Sequence, residues 1–120
     1  MVKDFVVMAV LFVVILSSGF FLTRMGRPYS TLLLTAHKLV SLVVVGYLGW
    51  TVMQAKQAAP LPALPLWLAG LTALLFLALI VTGGILSGSA RPPTWVRDGH
   101  HLLPYLVLLS AAGTLFLLSR

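Results

Sequence analysis

The sequence predicts an all-α integral membrane protein, an up-down-up-down bundle of four transmembrane helices. Of its 120 residues, 60% are hydrophobic and only 8% are charged, whereas a soluble domain carries about 25% charged residues. The apolar residues fall into four runs, each near the roughly 20 residues that a helix needs to cross the hydrocarbon core of a bilayer. Both observations indicate that lipid, rather than water, is the solvent of most side chains.

Four spans are predicted, and together they form one transmembrane domain over residues 1–120. The first apolar run continues to Arg24 without a cleavage pattern, which favours a retained helix over a signal peptide. Proline occurs in every connector, and connectors this short make neighbouring helices antiparallel. No internal repeat is obvious in the sequence. The predicted spans cover residues 5–22, 31–53, 64–87 and 99–119.

The charge of the chain fits a membrane better than nucleic acid. The net charge is +6, but the eight Lys and Arg residues are scattered between the apolar runs, as is typical of membrane flanks that face lipid headgroups. The only acidic residues are Asp4 and Asp98. Cysteine is absent, which excludes disulfides, thiolate metal sites and cysteine nucleophiles.

The basic residues also predict an orientation. Five of them flank one face of the membrane and three flank the other: Arg24, Arg27, Lys38, Arg91 and Arg97 against Lys3, Lys56 and Arg120. Because cytoplasmic flanks carry more Lys and Arg, we expect the first face to be cytoplasmic. Both termini are then predicted to lie outside the cell (inner) membrane.

Histidines are the candidate functional groups, because an ionisable residue inside a span is costly and is by default a functional candidate. His37 lies about 10 Å into the second span at 1.5 Å per residue. His100 and His101 lie just inside the fourth span, which starts from the same face. His100 shares its helix face with smaller and more polar residues, which predicts that it points inward. Asp98 is expected to cap the fourth helix.

Small residues lie at the same depth as the histidines. Ser17, Ser18 and Gly19 precede the end of the first span, and Gly83 and Gly84 precede the end of the third. Small residues let helix backbones approach one another, and they also make room for a flat, bulky ligand. Both interpretations stay open from the sequence alone.

Two imidazoles facing each other beside glycines indicate a b-type haem held between helices. The predicted axial ligands are His37 and His100, with His101 as the alternative to His100, which allows one haem b per chain. Zinc is less favoured, because a structural zinc site needs four ligands. Other predicted contacts of the cofactor are Ser18, Gly19, Ser41, Gly83 and Gly84 around the ring, and Arg24, Lys38 and Arg97 at the propionates.

Short segments of three helices resemble known haem-binding sequences. Residues 33–39 (LLTAHKL) and 100–106 (HHLLPYL) are similar to the haem-ligand helices of small four-helix membrane cytochromes of the b type. That class includes the cytochrome b subunits of hydrogenases and formate dehydrogenases. Residues 81–84 (VTGG) resemble the segment whose glycine lies against the porphyrin. The resemblance implies electron transfer with His37 and His100 as ligands, although the class commonly carries two haems and this chain lacks the second set of histidines.

Two other function classes remain open. One is a cofactor-free membrane anchor or assembly subunit, whose histidines only pack between helices. The other is a small-solute transporter, although the chain has neither the Glu of four-helix multidrug exporters nor the Asn of dual-topology fluoride channels. The expected partners are the lipid bilayer, a redox protein or a quinone, and a second copy of the chain through Gly46 and Gly49.

The orientation leads to a first prediction. The chain has no cysteine of its own, so single cysteines can report on each side of the membrane. With Lys3→Cys, an impermeant thiol reagent should label intact cells from outside. With Arg91→Cys, labelling should require permeabilised cells. The reverse pattern would contradict the orientation inferred from the basic residues.

Overall fold

The computed structural model describes residues 2–120, and it contains four long α-helices. All four are long and apolar enough to cross a membrane, and no strand occurs within the described residues. The prediction of an all-α, multi-pass membrane fold with four helices is therefore confirmed. The helices are α1 (Val2–Met25), α2 (Thr31–Ala58), α3 (Ala63–Gly88) and α4 (Thr94–Leu118).

The start of α4 differs from the sequence-based expectation. The helix begins at Thr94 after Pro93 in the N-cap position, five residues before the predicted span. Proline suits this place because it has no N–H to satisfy, and its carbonyl accepts the N–H of Val96 at 3.1 Å. The prediction that Asp98 caps α4 is wrong, because Asp98 lies inside the helix. Its Oδ1 lies 3.7 Å from Nε of Arg97 instead.

The first hairpin consists of α1 and α2, which pack against each other. They run antiparallel, since Ser18 near the end of α1 contacts His37 near the start of α2. Gly26 ends α1 with a φ of 69°, and its N–H bonds the Leu22 carbonyl at 3.1 Å. A positive φ of this kind closes a helix without strain only at glycine. The hairpin buries Met8, Phe12, Leu22, Val44, Leu48 and Thr51.

The second hairpin consists of α3 and α4, which are antiparallel for the corresponding reason: Thr82 near the end of α3 contacts His100 near the start of α4. Its interior combines apolar and hydroxyl side chains. Within the described part of the chain, every buried side-chain nitrogen or oxygen has a hydrogen-bond partner, as lipid surroundings require. The hairpin buries Phe76, Val107, Ala111, Leu115, Thr72, Ser110 and Thr114.

The two hairpins repeat one packing pattern. On the first helix of each, Phe12 and Phe76 are buried at positions 64 residues apart, and on the second helix Val44 and Val107 are buried at positions 63 residues apart. The chain thus contains an internal repeat, although none is obvious in the sequence. Most paired positions hold different residues, so the burial pattern makes the correspondence easier to see than the residue identities do.

Each hairpin also has a polar tie far from its histidine. In the first hairpin, the Tyr47 hydroxyl donates to Oδ1 of Asp4 at 2.6 Å. In the second, the hydroxyls of Thr72 and Ser110 lie 2.9 Å apart. Tyr47 and Ser110 each lie ten residues beyond the histidine of their own helix, which is about 15 Å along the axis. These ties therefore join the two helices of each hairpin well away from its histidine.

Packing in the first hairpin can be tested with two phenylalanines of α1. Phe12 is 5% exposed, whereas Phe21 is 55% exposed. Phe12→Ala should lower the free energy of unfolding of the detergent-purified protein by about 1–3 kcal/mol. This loss is smaller than the ~3–5 kcal/mol expected for the same change in a water-soluble core, because in a membrane mainly van der Waals packing is lost. Phe21→Ala is the matched control, and an equal loss in both variants would contradict this packing face.

Candidate functional site

The first candidate imidazole is held at the contact of α1 with α2. His37 is the seventh residue of α2, about 9 Å from the start of the helix. Its Nδ1 lies 2.8 Å from Oγ of Ser18. A Cβ added at Gly19 would come within 3.1 Å of its Cε1. Consecutive residues of α1 thus supply a hydrogen-bond partner for the ring and the space into which the ring fits.

The second imidazole has the same surroundings in the other hairpin. His100 is the seventh residue of α4, and its Nδ1 lies 2.8 Å from Oγ1 of Thr82. A Cβ added at Gly83 would lie 3.0 Å from its Cε1, closer than side chains normally approach. A hydroxyl residue followed by glycine therefore holds one histidine in each hairpin, at the same height within its helix.

The neighbours of each hydroxyl bear on which ring nitrogen carries the proton. The Ser18 hydroxyl lies 2.9 Å from the Ile15 carbonyl, and the Thr82 hydroxyl lies 2.8 Å from the Ala78 carbonyl. A hydroxyl has only one proton to give, so a hydroxyl that donates to its carbonyl accepts from the imidazole. In that arrangement Nδ1 of the neutral ring is protonated, and Nε2 carries the lone pair that can bind a metal.

The residues of this arrangement follow a sequence motif that occurs once in each hairpin. A hydroxyl residue and glycine are followed after seven residues by Arg-Pro, and then after seven or eight residues by histidine. Sequence reasoning predicted Ser18 and both glycines, but it missed Thr82 as the partner of His100. Aligning the two Arg-Pro loops would have revealed it. The motif residues are Ser18, Gly19, Arg27, Pro28 and His37 in one copy, and Thr82, Gly83, Arg91, Pro92 and His100 in the other.

His101 points away from this arrangement. It is exposed, as is Tyr105 one turn later, whereas Val107 and Ala111 on the His100 side of α4 are buried against α3. The structure therefore places His100, and not His101, on the face that packs within the hairpin.

Other predicted ring contacts have different surroundings. The Ser41 hydroxyl donates to the backbone carbonyl of His37 at 2.7 Å, so this hydrogen bond is made to the helix backbone and not to the imidazole. Gly84 is exposed, and a Cβ placed there would meet no atom within 4 Å. Gly83, which was expected to lie against a porphyrin, lies against the imidazole of His100.

The basic residues predicted for the site are exposed near the same ends of the helices as the imidazoles. These residues are Arg24, Lys38 and Arg97. The guanidinium carbon of Arg24 lies 5.8 Å from the centroid of the Phe20 ring, and Arg97 lies beside Asp98 as described above. Their exposure suits long, flexible side chains that reach the headgroup region of a membrane.

Among residues 2–120, no group of three or more His, Asp or Glu side chains comes together to hold a metal ion. Each hairpin instead holds one of these imidazoles. Comparison of the chain with known protein families, curated proteins and solved structures found no match. The chemistry of the two histidines and their neighbours is therefore what bears on function.

The glycine contacts lead to a matched prediction. Gly83→Ala should push the His100 ring away by a few tenths of an ångström and lengthen its hydrogen bond to Thr82. Gly84→Ala should leave the ring in place and be neutral or stabilising by up to ~1 kcal/mol, because alanine favours the helix. The ring signals of His100 in an NMR spectrum of the histidine-labelled protein, together with the melting temperature, distinguish the two. An unshifted ring in Gly83→Ala would contradict the close contact.

Proposed function

We propose that this protein is a membrane-embedded b-type haem protein with bis-histidine ligation, and that it acts in electron transfer. One observation carries the proposal. In each hairpin, Nδ1 of an imidazole lies 2.8 Å from a hydroxyl that can accept its proton, an arrangement that leaves the lone pair on Nε2. Metal-bound histidines almost always donate their other N–H to an oxygen of the protein, which fixes the tautomer and the ring orientation. His37 and His100 both meet this requirement.

The donor set fits haem better than other metal groups. Neutral imidazole is an established axial ligand of haem iron, and a haem needs only two such ligands from the protein because the porphyrin supplies the rest. A zinc site needs three or four protein ligands, and no such cluster exists in the described residues. Two imidazoles, each at the seventh position of its helix, would supply the two ligands that a haem needs.

The chain's own residues would hold the group in defined ways. His37 and His100 would be the axial ligands, and Arg24, Lys38 and Arg97 would pair with the propionates. A bound haem supplies a one-electron couple between ferric and ferrous iron. Ser18 and Thr82 would keep the ligand rings oriented.

The location of the proposed site follows from the charge distribution. The arginines of both Arg-Pro loops lie near the helix ends that hold the histidines, and positive flanks favour the cytoplasmic side. We therefore propose a haem b near the cytoplasmic face of the cell membrane, with both termini outside. Its electron donor or acceptor would be a redox protein or a quinone.

A cofactor-free anchor or assembly subunit is the second candidate, and the same hydrogen bonds support it. A hydrogen bond between membrane helices stabilises their association by about 0.6 kcal/mol on average. In this interpretation, the contacts of Ser18 with His37 and of Thr82 with His100 only fasten each hairpin. The two functions differ in one measurable property, the presence of haem.

Purification in detergent from haem-replete cells tests the proposal. We expect about one haem per chain and a low-spin, six-coordinate spectrum after reduction with dithionite. His37→Ala and His100→Ala should each abolish that spectrum, because one axial ligand is lost. His101→Ala is the matched control and should retain the spectrum, since its side chain is exposed on another face.

Two results would change the conclusion. A colourless wild-type protein that stays colourless after hemin is added would refute the haem proposal and favour the anchor. Loss of haem in His101→Ala but not in His100→Ala would reassign the second ligand and leave the cofactor assignment intact.

A further inference from the structure

Ser18 and Thr82 occupy equivalent positions in the two hairpins, and each hydroxyl makes two hydrogen bonds of different kinds. Each lies 2.8 Å from Nδ1 of its histidine. Each also lies within hydrogen-bond distance of a carbonyl in the preceding turn of its own helix. When Nδ1 carries the proton, the imidazole, the hydroxyl and the carbonyl form one chain of hydrogen bonds that all point in the same direction.

Such a chain strengthens the interaction with the imidazole. A hydroxyl that donates its proton becomes a better acceptor, because successive hydrogen bonds polarise one another. The Nδ1–H bond of the ring is then polarised towards the oxygen, and the ring gains negative character. A histidine supported in this way is a more basic metal ligand through Nε2. A more basic ligand stabilises ferric iron over ferrous iron, because the ferric ion carries the higher charge.

Building on the haem site proposed above, we propose that Ser18 and Thr82 are positioning residues that hold both ligands in the Nδ1–H tautomer and lower the reduction potential of the iron. They touch the ligands and not the metal. At this position one hairpin has serine and the other has threonine. Either hydroxyl should therefore serve in either hairpin.

The potential of the haem-loaded protein tests the proposal. Ser18→Ala and Thr82→Val each remove one hydroxyl, and Thr82→Val keeps the branched shape of the side chain. Each should raise the midpoint potential by an amount that corresponds to about a tenfold change in preference for ferric iron, which is about 59 mV for a one-electron couple. Ser18→Thr and Thr82→Ser should leave the potential near that of the wild type.

The control is Ser17→Ala, which removes the exposed neighbouring hydroxyl and should leave the potential unchanged. If the two hydroxyls only fastened the helices, the melting temperature would fall in Ser18→Ala and Thr82→Val while the potential of the haem-loaded fraction stayed constant. That result would overturn the proposal. The same holds if Ser18→Thr and Thr82→Ser shift the potential as strongly as the variants that lack a hydroxyl.

The tautomer is measured separately on the haem-free protein. Nitrogen-15 NMR of histidine-labelled protein should show protonated Nδ1 and unprotonated Nε2 for His37 and His100, and Ser18→Ala should change this pattern for His37 alone. Protonated Nε2 on both rings of the wild type would overturn the positioning role. A wild type that binds no haem overturns the proposed function and the effect on the potential together. If the wild type binds haem and its midpoint potential is the same in Ser18→Ala and Thr82→Val, the positioning role alone is overturned.

Discussion

The structure of each hairpin depends on how one imidazole is accommodated inside a membrane. In lipid, no water can satisfy the ring nitrogens, so the protein must supply a partner for the N–H. The ring also needs space at a helix contact where backbones approach closely. A hydroxyl residue followed directly by glycine meets both needs, since the Ser18 hydroxyl lies 2.8 Å from Nδ1 of His37 and Gly19 leaves room for its Cε1. Any larger residue at the glycine would displace the ring from its partner.

The helix ends place the hydroxyl, the glycine and the histidine at one height. Each Arg-Pro loop connects two antiparallel helices, and the histidine follows as the seventh residue of the second helix. Gly26 ends α1 through its positive φ, and Pro93 precedes α4. These two ends differ in chemistry but give the same register, so that Ser18 meets His37 and Thr82 meets His100. The loops therefore determine the histidine contacts as much as the helices do.

The repeat gives a physical reason to treat the two histidines as a pair. A single histidine in a membrane helix is explained well enough by a hydrogen bond to its neighbour. The two hairpins share a hydroxyl, a glycine, a histidine and a loop motif, so the same arrangement occurs twice. The proposed ligation by two equivalent histidines would use both copies. The polar ties away from the histidines, by contrast, use different residues in the two hairpins, since Tyr47 bonds Asp4 in one and Thr72 contacts Ser110 in the other. The arrangement around the histidines keeps its chemistry.

The sequence by itself determined the membrane fold, because the apolar runs and the scarcity of charge leave lipid as the solvent. It also singled out His37 and His100, since an ionisable residue at that depth is costly, and it placed Ser18, Gly19 and Gly83 at the same depth. Tertiary structure decided that Thr82 pairs with His100 and that Asp98 is not a cap. It also revealed the repeat and the hydroxyl beside Nδ1 of each ring. Composition and periodicity cannot give these results, because they depend on contacts between side chains of different helices.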